Sequence, residues 1–464
     1  MVQHILDMLQ GENMDIIIVG AGKFGRELTE HLAKENHNIT VIDAKASVVE
    51  EVVNQFDVIG ICGNGASSEI LEQANPKTIE LLIATAANDE TNILCCLVAK
   101  QLGIKQTIAR IRNPEYIKQI QAMNESLGIS MSLNPDIDTA REIARILRFP
   151  SAIKVETFAN GKVDLVEIKV EKNSPLCNAK LNSLREKHQV RILVCAVKRN
   201  NEVVIPNGDF VLKEGDFVYI TADNADITKA FRKLNILKNK SKSVLIVGGG
   251  KTAYQLATQL IQDGVSVKIF EKDYSVCEQL SEKLPHTLII NGDATNQKLL
   301  LAEGIENVDA VVTLTGIDET NIIISSYAKN LGVEKVITKV NNTNYDSILS
   351  NIGLDSVVSP KEIFSSHIIR YVRGIENTRG SIFKTLYRLV GNRVEALELS
   401  VSRETKYTSI PLKNLKIKDN YLLAAIIRAN RVIIPSGKDT LEPLDSVIII
   451  TTNTFVKDLS DIME

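Results

Sequence analysis

Residues 16–25 read IIIVGAGKFG, and the stretch returns in altered form at residues 244–253 as VLIVGGGKTA. In both places four apolar residues lead directly into a glycine-rich turn, and Gly20 and Gly248 lie 228 positions apart. A short apolar run followed by such a turn is typical of the first strand and first helix of a doubly wound α/β domain. The sequence therefore predicts this arrangement twice.

The repeat continues far beyond the two glycine-rich stretches. Matching residues keep the same spacing, within one position, along most of the chain. They are Asp43 with Glu271, Asp-Glu-Thr-Asn at 89–92 with the same four residues at 318–321, and the Ile-Pro-x-Gly turn at 205–208 with that at 434–437. A register held over this distance indicates two copies of one module rather than two similar loops.

Length and charge exclude several classes of protein. The 464 residues are too many for one core and enough for three or four domains. The formal net charge is −3 and no long run of one sign occurs, so we expect no nucleic-acid partner. No apolar stretch reaches the roughly 18 residues of a membrane-spanning helix, so we expect no transmembrane segment.

The first half of each module alternates short apolar runs with amphipathic segments. This alternation predicts a parallel sheet covered by helices on both faces. The expected strands are Ile16–Val19, Ile39–Ile42, Val58–Ile61, Leu81–Ala84 and Thr107–Ile111, then Val244–Val247, Val267–Phe270, Leu288–Ile290, Ala310–Leu314 and Val336–Val340.

The second half of each module follows a predicted helix, Ile137–Leu147 or Lys361–Val372, and is rich in strand patterns. The expected strands are Leu165–Val170, Ile192–Val197, Val203–Ile205 and Phe217–Thr221, then Ala396–Val401, Leu422–Arg428, Arg431–Ile434 and Val447–Thr451. The predicted fold class is α/β: a tandem duplication of a Rossmann-like, doubly wound parallel-sheet domain, each copy followed by a small α+β C-terminal lobe.

These patterns divide the chain into six segments. They are an N-terminal extension at 1–13, a first N-lobe at 14–135, a first C-lobe with its crossover helix at 136–235, a linker at 236–242, a second N-lobe at 243–360, and a second C-lobe with its crossover helix at 361–464. The linker is a polar, basic stretch, which is typical of a connection between domains.

The first glycine-rich turn has the features of a dinucleotide-binding site. Gly20 permits the tight turn, Gly22 allows the backbone to approach a pyrophosphate, and Gly25 allows close packing of helix against sheet. Asp43 follows at the end of the second strand, where a carboxylate accepts the ribose hydroxyls and repels a 2′-phosphate. The first copy therefore predicts NAD, or another adenosine without a 2′-phosphate, as its ligand.

The second copy keeps the same pattern in a looser form. Gly248 and Gly250 match the first two glycines, Ala253 takes the third position, and Glu271 replaces Asp43. Alanine is an accepted variant there, and we expect it to shift the helix slightly.

Further candidate binding residues lie within the two turns or at strand ends, where open α/β sheets bind ligands. Small residues end the fourth strands, polar residues follow the third strands, and cations that could reach a phosphate end the fifth strands. The first set is Gly20, Ala21, Gly22, Lys23, Phe24, Gly25, Asp43, Asn64, Ala86, Ala87 and Arg110. The second set is Gly248, Gly249, Gly250, Lys251, Thr252, Glu271, Asp293, Thr315, Gly316 and Lys339.

Each of these interpretations has a structural alternative. The glycines could serve the fold alone while the crevice binds nothing. Arg110 could form a salt bridge to a helix instead of contacting a phosphate. The acidic pairs at 89–90 and 318–319 are expected to cap helix N-termini rather than to bind a ligand.

The sequence offers no catalytic group and no metal site. A dehydrogenase needs an acid or base opposite the nicotinamide, and no histidine recurs in both copies. His-x-x-x-His and Cys-x-x-Cys patterns are absent as well. Two nucleotide folds without visible chemistry favour a sensor whose ligand changes domain geometry.

The order of these motifs resembles the RCK (regulator of K⁺ conductance) family, also called KTN domains. The shared motifs are Gly-x-Gly-x-x-Gly, the acidic ribose residue, a Gly-Asn or Gly-Asp step, the Asp-Glu-Thr-Asn helix start, the Ala-Arg-Ile strand and the Ile-Pro-x-Gly turn. The chain departs from the family pattern at Asn64, where an aspartate is common, at Ala253 and at Lys339.

The resemblance implies a regulatory subunit without enzyme activity, cytoplasmic and peripheral at the inner face of the plasma membrane. It implies a membrane K⁺-translocating partner such as TrkH or TrkG, and a homotetramer whose eight lobes form a gating ring. NAD⁺ or NADH bound by the N-lobes would bias that ring, and ATP or ADP could take the same place because all share the adenosine diphosphate portion.

Two other functions stay open on the sequence. One is an NAD-dependent oxidoreductase acting on an unidentified small molecule. The other keeps the ring but places the controlling ligand, such as a cyclic dinucleotide, in the C-lobes.

Overall fold

The computed structural model describes residues 13–148, 152–158, 163–188, 192–200, 202–223, 229, 231–234, 241–342, 345–378, 383–389, 394–403, 405–429, 431–452, 456 and 459–463. The extension expected at 1–13 and the linker expected at 236–242 lie outside these residues except at positions 13, 241 and 242. The chain separates into two compact units, Met1–Ala140 with Ser359–Ile369 and Arg141–Val358 with Arg370–Glu464.

The first unit contains a six-stranded parallel sheet in the order β3-β2-β1-β4-β5-β6. Its strands are β1 (Asp15–Val19), β2 (Asn38–Asp43), β3 (Ile59–Cys62), β4 (Leu81–Ala84), β5 (Gln106–Arg110) and β6 (Met131–Leu133). Its helices are α1 (Lys23–Lys34), α2 (Ala46–Gln55), α3 (Ser68–Gln73), α4 (Asp89–Gln101) and α5 (Pro114–Leu127). Ile16, Ile17 and Ile18 are fully buried, as expected where helices cover both faces of a sheet.

The strand order of this sheet reverses between β1 and β4, which are hydrogen-bonded neighbours. In open α/β sheets a ligand crevice forms outside the carboxyl ends of the strands at such a point. The turn after β1 begins with Gly20, and the segment after β4 contains Ala86. The fold therefore brings the glycine-rich turn and the small strand-end residues to one edge.

The second unit contains a parallel sheet of the same topology, in the order β14-β13-β12-β15-β16-β17. Its strands are β12 (Ser243–Val247), β13 (Ser266–Glu271), β14 (Leu288–Asn291), β15 (Ala310–Thr313), β16 (Lys335–Lys339) and β17 (Val357–Val358). Its helices are α8 (Lys251–Gln262), α9 (Tyr274–Lys283), α10 (Gln297–Ala302), a 3₁₀ turn (Ile305–Asn307), α11 (Asp318–Asn330) and α12 (Asp346–Asn351).

The same unit holds two five-stranded antiparallel sheets, ordered β10-β9-β11-β8-β7 and β18-β19-β22-β20-β21. The first contains β7 (Ala152–Phe158), β8 (Val163–Lys169), β9 (Leu193–Arg199), β10 (Glu202–Val204) and β11 (Phe217–Asp223), beside helix α7 (Leu181–His188). The second contains β18 (Phe383–Leu389), β19 (Val394–Ser400), β20 (Tyr421–Arg428), β21 (Arg431–Ile433) and β22 (Ser446–Thr451), with 3₁₀ turns at Leu412–Asn414 and Leu459–Ile462. Apolar side chains from both sheets, such as Leu165 and Ile448, join one buried cluster.

Each parallel sheet is connected to the following antiparallel sheet by a crossover helix, α6 (Pro135–Arg148) or α13 (Pro360–Thr378). Both helices divide between the two units. Residues 359–369 belong with the first unit, whereas residues from 370 onward belong with the second. This division gives α13 a place in the structure of the first nucleotide fold, although it belongs to the second module in sequence.

The predicted fold class is confirmed: each half of the chain contains a Rossmann-like parallel sheet and a smaller antiparallel sheet. Every predicted strand is present, with ends that differ by at most two residues. The sequence prediction missed β6, β7, β17 and β18, and it ended α13 six residues too early. Within the residues described above, no helix has the length and apolar character that a membrane span requires.

Candidate functional site

Two of the three glycines in the first turn are required by the fold itself. Gly20 has φ +91°, in the left-handed region, and a Cβ there would lie 2.7 Å from the backbone nitrogen of Ala86. A Cβ on Gly25 would lie 1.9 Å from the carbonyl oxygen of Gly20. The turn after β1 and the close packing of α1 therefore both depend on the absence of a side chain.

Gly22 differs from the other two glycines, because a Cβ there would meet no atom within 4 Å. Its backbone, with φ −72° and ψ −165°, is one that any residue adopts. Neither sterics nor conformation requires glycine at this position. The open space above Gly22 is the expected room for a phosphate that approaches the backbone closely.

The N-terminus of α1 is open to an anion. The helix begins at Lys23, its N-cap residue Gly22 provides no side-chain hydrogen bond, and its first turn contains no acidic residue. The first N–H groups of a helix have no partner within the helix, and the helix dipole places positive charge there. Lys23 is exposed and adds a cation to this end of the helix. Open helix N-termini with these features are where many proteins bind phosphate groups, so this helix end is a candidate diphosphate position.

Asp43 connects the end of β2 to the turn. Its Oδ2 accepts a hydrogen bond of 2.8 Å from the N–H of Ala21, and its Oδ1 accepts one of 2.9 Å from the N–H of Lys45. A carboxylate oxygen has two lone pairs, so each oxygen can still accept a ribose hydroxyl. The carboxylate thus lies beside the candidate phosphate position with acceptor capacity to spare.

The second turn repeats this geometry with a longer acidic side chain. Gly248 has φ +100°, and a Cβ on Gly250 would again meet nothing within 4 Å. Glu271 accepts hydrogen bonds of 2.6 Å from the N–H of Gly249 and 2.8 Å from the N–H of Asp273. A Cβ on Gly249 would lie 2.7 Å from the Leu280 side chain and 3.1 Å from that of Glu271, so these two side chains occupy the room that the Ala21 methyl takes in the first copy.

The helix also packs on the turn differently in the two copies. In the first copy the Thr85 hydroxyl donates to the carbonyl of Gly20 over 2.9 Å, beside Gly25. In the second copy the corresponding residues are Leu314 and Ala253, and Ala253 is fully buried. The second turn therefore accommodates a methyl group that the first cannot.

The small strand-end residues lie next to the turns, held by a buried asparagine that the sequence reasoning did not include. The side-chain amide of Asn92 donates to the carbonyls of Ala86 over 3.1 Å and Arg110 over 2.8 Å. Asn321 donates in the same way to the carbonyls of Thr315 and Lys339. The repetition of this asparagine in Asp-Glu-Thr-Asn was the available signal.

Four further candidates flank these positions, and their chemistry differs between the copies. Ala87 and Gly316 are exposed and continue the two strand-end segments, Lys251 is exposed at the start of α8, and Thr252 behind it is 8% exposed. The lysine at the start of the helix is thus repeated, as Lys23 and Lys251. The next residue differs, because Phe24 has an aromatic ring and Thr252 has a hydroxyl group.

Arg110 lies against the turn with only 7% of its surface exposed. Its guanidinium donates to the carbonyls of Ala86 over 2.7 Å and Ala87 over 3.4 Å, and lies 5.1 Å from the ring centroid of Phe24. Burial lowers the pKa of Arg110 below its ordinary value. In the second copy the Lys339 ammonium donates to the carbonyl of Leu314 over 3.2 Å.

The candidates after the third strands are exposed and shape their own turns. Asn64 accepts a hydrogen bond of 3.0 Å from the N–H of Ala66, and Asp293 accepts from the N–H and hydroxyl of Thr295. The Thr295 backbone hydrogen bond holds the pKa of Asp293 below its ordinary value. Both residues therefore keep an accessible oxygen at the edge of the crevice.

The acidic pairs lie in the first turns of α4 and α11, at the helix ends where they were expected, but they are not the N-cap residues. The N-cap residues of α4 and α11 are Asn88 and Ile317, and neither makes a side-chain cap hydrogen bond. The Asp89 carboxylate instead accepts the backbone N–H groups of residues 112 and 113, and Asp318 accepts those of residues 341 and 342. These carboxylates fix the segment after the fifth strand, because that loop returns across the helix N-terminus.

Comparisons with known proteins match both parallel sheets to one domain family. The TrkA-N domain family matches residues 16–135 and 244–360, and the TrkA-C domain family matches residues 165–235. The Trk system potassium uptake protein TrkA of Vibrio alginolyticus is 31% identical over 97% of this chain and 99% of its own length. The protein of the same name from Halomonas elongata is 33% identical over 94% of this chain and 95% of its own length.

Two solved structures that share the fold come from GsuK. The crystal structure of the GsuK RCK domain has a TM-score of 0.63 at 16% identity and covers 94% of this chain and 92% of that one. The GsuK channel bound to NAD has the same TM-score at 17% identity, covering 95% of this chain and 77% of that one.

Proposed function

Because the chain belongs to the TrkA family, we propose that it is a cytoplasmic regulatory subunit of a Trk-type potassium uptake system, peripheral at the inner face of the plasma membrane. It binds NAD⁺, NADH or an adenine nucleotide and gates a TrkH- or TrkG-like membrane subunit. The proposal rests on a feature that occurs twice, which we call a cradle: open space above the glycine that precedes a helix, with a carboxylate beside it. The first cradle consists of Gly22, the start of α1 and Asp43, and the second consists of Gly250, the start of α8 and Glu271.

The residues present in both cradles fit a nucleotide. The N–H groups at the start of α1, with Lys23, would hold the phosphates, and Asp43 would accept the ribose hydroxyls. Lys251 and Glu271 take these places in the second cradle. A GsuK channel of the same fold was solved with NAD, which supports a dinucleotide as one ligand class.

Gating requires the nucleotide to bind one conformation of the assembly more tightly than another. A ligand with equal affinity for two states shifts neither, however tightly it binds. A coupling of roughly 1–3 kcal/mol per site is typical of allosteric proteins. Several cradles in one assembly would combine such modest terms into a switch.

An apolar groove between α4 and α5 supports the proposed homotetramer. The groove measures about 390 Å³ and is lined by Ile93, Leu97 and Ile120 together with Leu94 and Met123. Leu94 and Met123 are about half exposed, at 48% and 50%. Apolar surface of this kind marks contact sites between proteins.

The second N-lobe exposes apolar residues in the corresponding place. Ile323 on α11 is 62% exposed and Ile348 on α12 is 50% exposed. Both N-lobes therefore offer a similar surface to neighbouring lobes, as a ring of eight lobes from four chains requires.

Native mass spectrometry tests this assembly. The natural chain should appear as a tetramer, and Leu94→Glu should move it toward smaller species because a charge in the groove opposes contact. Leu301→Glu is the matched control, since Leu301 is also partly exposed but lies on α10. A monomeric natural chain, or equal behaviour of the two variants, would contradict the proposed ring surface.

The gating function itself is tested by K⁺ flux into vesicles that contain the membrane subunit and this protein. Flux should change when ADP or NADH is added, with no turnover of the nicotinamide. Identical flux with and without nucleotide would overturn the proposal. A steady change in nicotinamide absorbance in the presence of small substrates would favour an oxidoreductase instead.

A further inference from the structure

The first cradle is in contact with a helix from the other module. Phe24, the second residue of α1, packs edge to face on Phe364 of α13, with ring centroids 5.1 Å apart and an interplanar angle of 73°. Both rings belong to the first compact unit, and Phe364 is fully buried. A residue between two of the cradle glycines is thus fixed against a segment 340 positions further along the chain.

Phe24 also contacts a residue of the strand-end segment of the cradle. The Arg110 guanidinium lies 5.1 Å from the ring centroid and donates to the carbonyl of Ala86. The Nε of Arg110 is buried and makes no hydrogen bond in the described structure. Phe24 therefore contacts both a buried cation at the nucleotide edge and an aromatic ring on α13, so a shift of the turn displaces both contacts.

A charged contact repeats the connection one turn further along α1. The Glu27 carboxylate lies 3.3 Å from the Lys361 ammonium and 3.3 Å from the His31 ring, and all three side chains are at most 20% exposed. The hydrogen bond with His31 and the nearby Lys361 ammonium hold the pKa of Glu27 below its ordinary value. Helices α1 and α13 are thus joined by two layers, one aromatic and one ionic.

The residues of α1 that make these contacts are not repeated around the second cradle. At the positions of Phe24, Glu27 and His31 the second module has Thr252, Gln255 and Gln259. The second cradle therefore has neither the ring nor the carboxylate that joins α1 to a crossover helix. The two cradles share the glycines and the carboxylate that would face a ligand, but the helix residues behind those groups differ.

We propose that Phe24 and Phe364 transmit occupancy of the first cradle to helix α13, so that the first nucleotide site governs the position of the second module's crossover helix. This inference rests on nucleotide binding as proposed above. Phosphates bound at the first N–H groups of α1 fix the turn that contains Phe24. An edge-to-face pair depends on ring orientation, so a fixed Phe24 selects one placement of Phe364.

Helix α13 is suited to carry such a change over distance. Its 19 residues span about 28 Å at the usual helical rise. It is the direct connection from the second parallel sheet to strand β18, and its residues divide between the two compact units at 369 and 370. The part of α13 that contacts the first cradle, residues 360–369, is therefore the segment in which the change is expected.

Hydrogen–deuterium exchange of the full chain with and without ADP tests the proposal, with ADP binding measured by calorimetry on the same samples. In the natural chain ADP should slow exchange of residues 360–369 by at least about fivefold, the lower end of usual allosteric coupling. Phe364→Met should remove this change while ADP still binds, because methionine fills the space without an oriented ring.

A matched control and a second variant complete the design. Phe231→Met removes a fully buried ring from the first C-lobe core and should leave the ADP response of residues 360–369 intact. Lys361→Gln breaks the ionic layer without opening the core, and it should weaken the same response. It serves as the test variant if Phe364→Met does not fold.

The outcomes are distinguishable. ADP binding without any response at residues 360–369 would overturn this inference and leave the proposed nucleotide binding in place. A full response in folded Phe364→Met, or in Lys361→Gln where Phe364→Met does not fold, would do the same. Absence of binding by ADP, NAD⁺ and NADH to the natural chain would overturn both. Loss of the response in Phe364→Met, or in Lys361→Gln where Phe364→Met does not fold, with Phe231→Met unaffected, would support it.

Discussion

Replacing Gly22 by alanine should separate ligand binding from folding. The added methyl group meets no atom within 4 Å, and the backbone at Gly22 is one that alanine adopts. Stability should therefore be unchanged or rise by about 0.4–1 kcal/mol, because alanine loses less entropy on folding. The methyl group occupies the space above the helix N-terminus, so a bound phosphate must withdraw from the N–H groups.

The expected loss of affinity follows from those hydrogen bonds. Hydrogen bonds to a charged group contribute roughly 1.5–3 kcal/mol. Losing one corresponds to a decrease in affinity of about tenfold to a hundredfold. Calorimetric titration of Gly22→Ala with ADP measures this decrease directly.

Gly25→Ala is the informative contrast. Its Cβ would lie 1.9 Å from the Gly20 carbonyl oxygen, so α1 must move by about 1.5 Å to reach ordinary contact. Overpacking of this kind costs about 1–3 kcal/mol. Gly25→Ala should therefore lower the melting temperature, whereas Gly22→Ala should not. Natural affinity in Gly22→Ala, or equal destabilisation by both variants, would refute this division of roles.

Three further predictions follow from single side chains. Asp43→Ala should weaken NADH binding more than Glu271→Ala does, and equal losses by calorimetry would contradict the unequal cradles. Burial is the largest single effect on the pKa of Asp216 and raises it, but the hydrogen bonds from Arg199 and the Lys213 N–H, with the charges of both residues, together lower the pKa. The stability from these contacts is present above the ordinary carboxyl range and is lost as pH falls through the folded-state pKa. Asp216→Asn should accordingly flatten the acid limb of the melting-temperature profile, and an unchanged acid limb would count against this assignment. Leu444 has φ +73° and is 71% exposed. Leu444→Gly should stabilise the protein by roughly 0.5–1 kcal/mol in denaturant titrations, since relief of left-handed strain exceeds the added unfolded-state entropy, and destabilisation would contradict the strain.

The fold was largely predictable because its central strands are apolar and its turns contain glycine. The run at 16–19 is buried on both faces, which leaves a clear signal in the sequence. Strand β6 (Met131–Leu133) was not predictable, because three residues carry too little pattern. Strand β7 (Ala152–Phe158) was missed because Lys154 and Glu156 interrupt its apolar positions.

The candidate site was predictable in its composition but not in its internal packing. The sequence pattern identifies Gly22 and Gly25 as one motif, yet only the coordinates separate the glycine that the fold needs from the glycine that it does not. Arg110 was expected to contact a phosphate or a helix, and it donates to strand-end carbonyls. The contact of Phe24 with Phe364 joins residues in different modules, and no local periodicity encodes such a pair.

In the proposed function, nucleotide bound at the first cradle controls K⁺ flux. This is tested most directly by the ADP dependence of flux in vesicles that contain the membrane subunit, measured with the natural chain and with Gly22→Ala. We expect the half-effective ADP concentration to rise by about tenfold or more in the variant, in step with its calorimetric affinity. The same flux curve for both proteins, despite weaker binding by the variant, would contradict the claim.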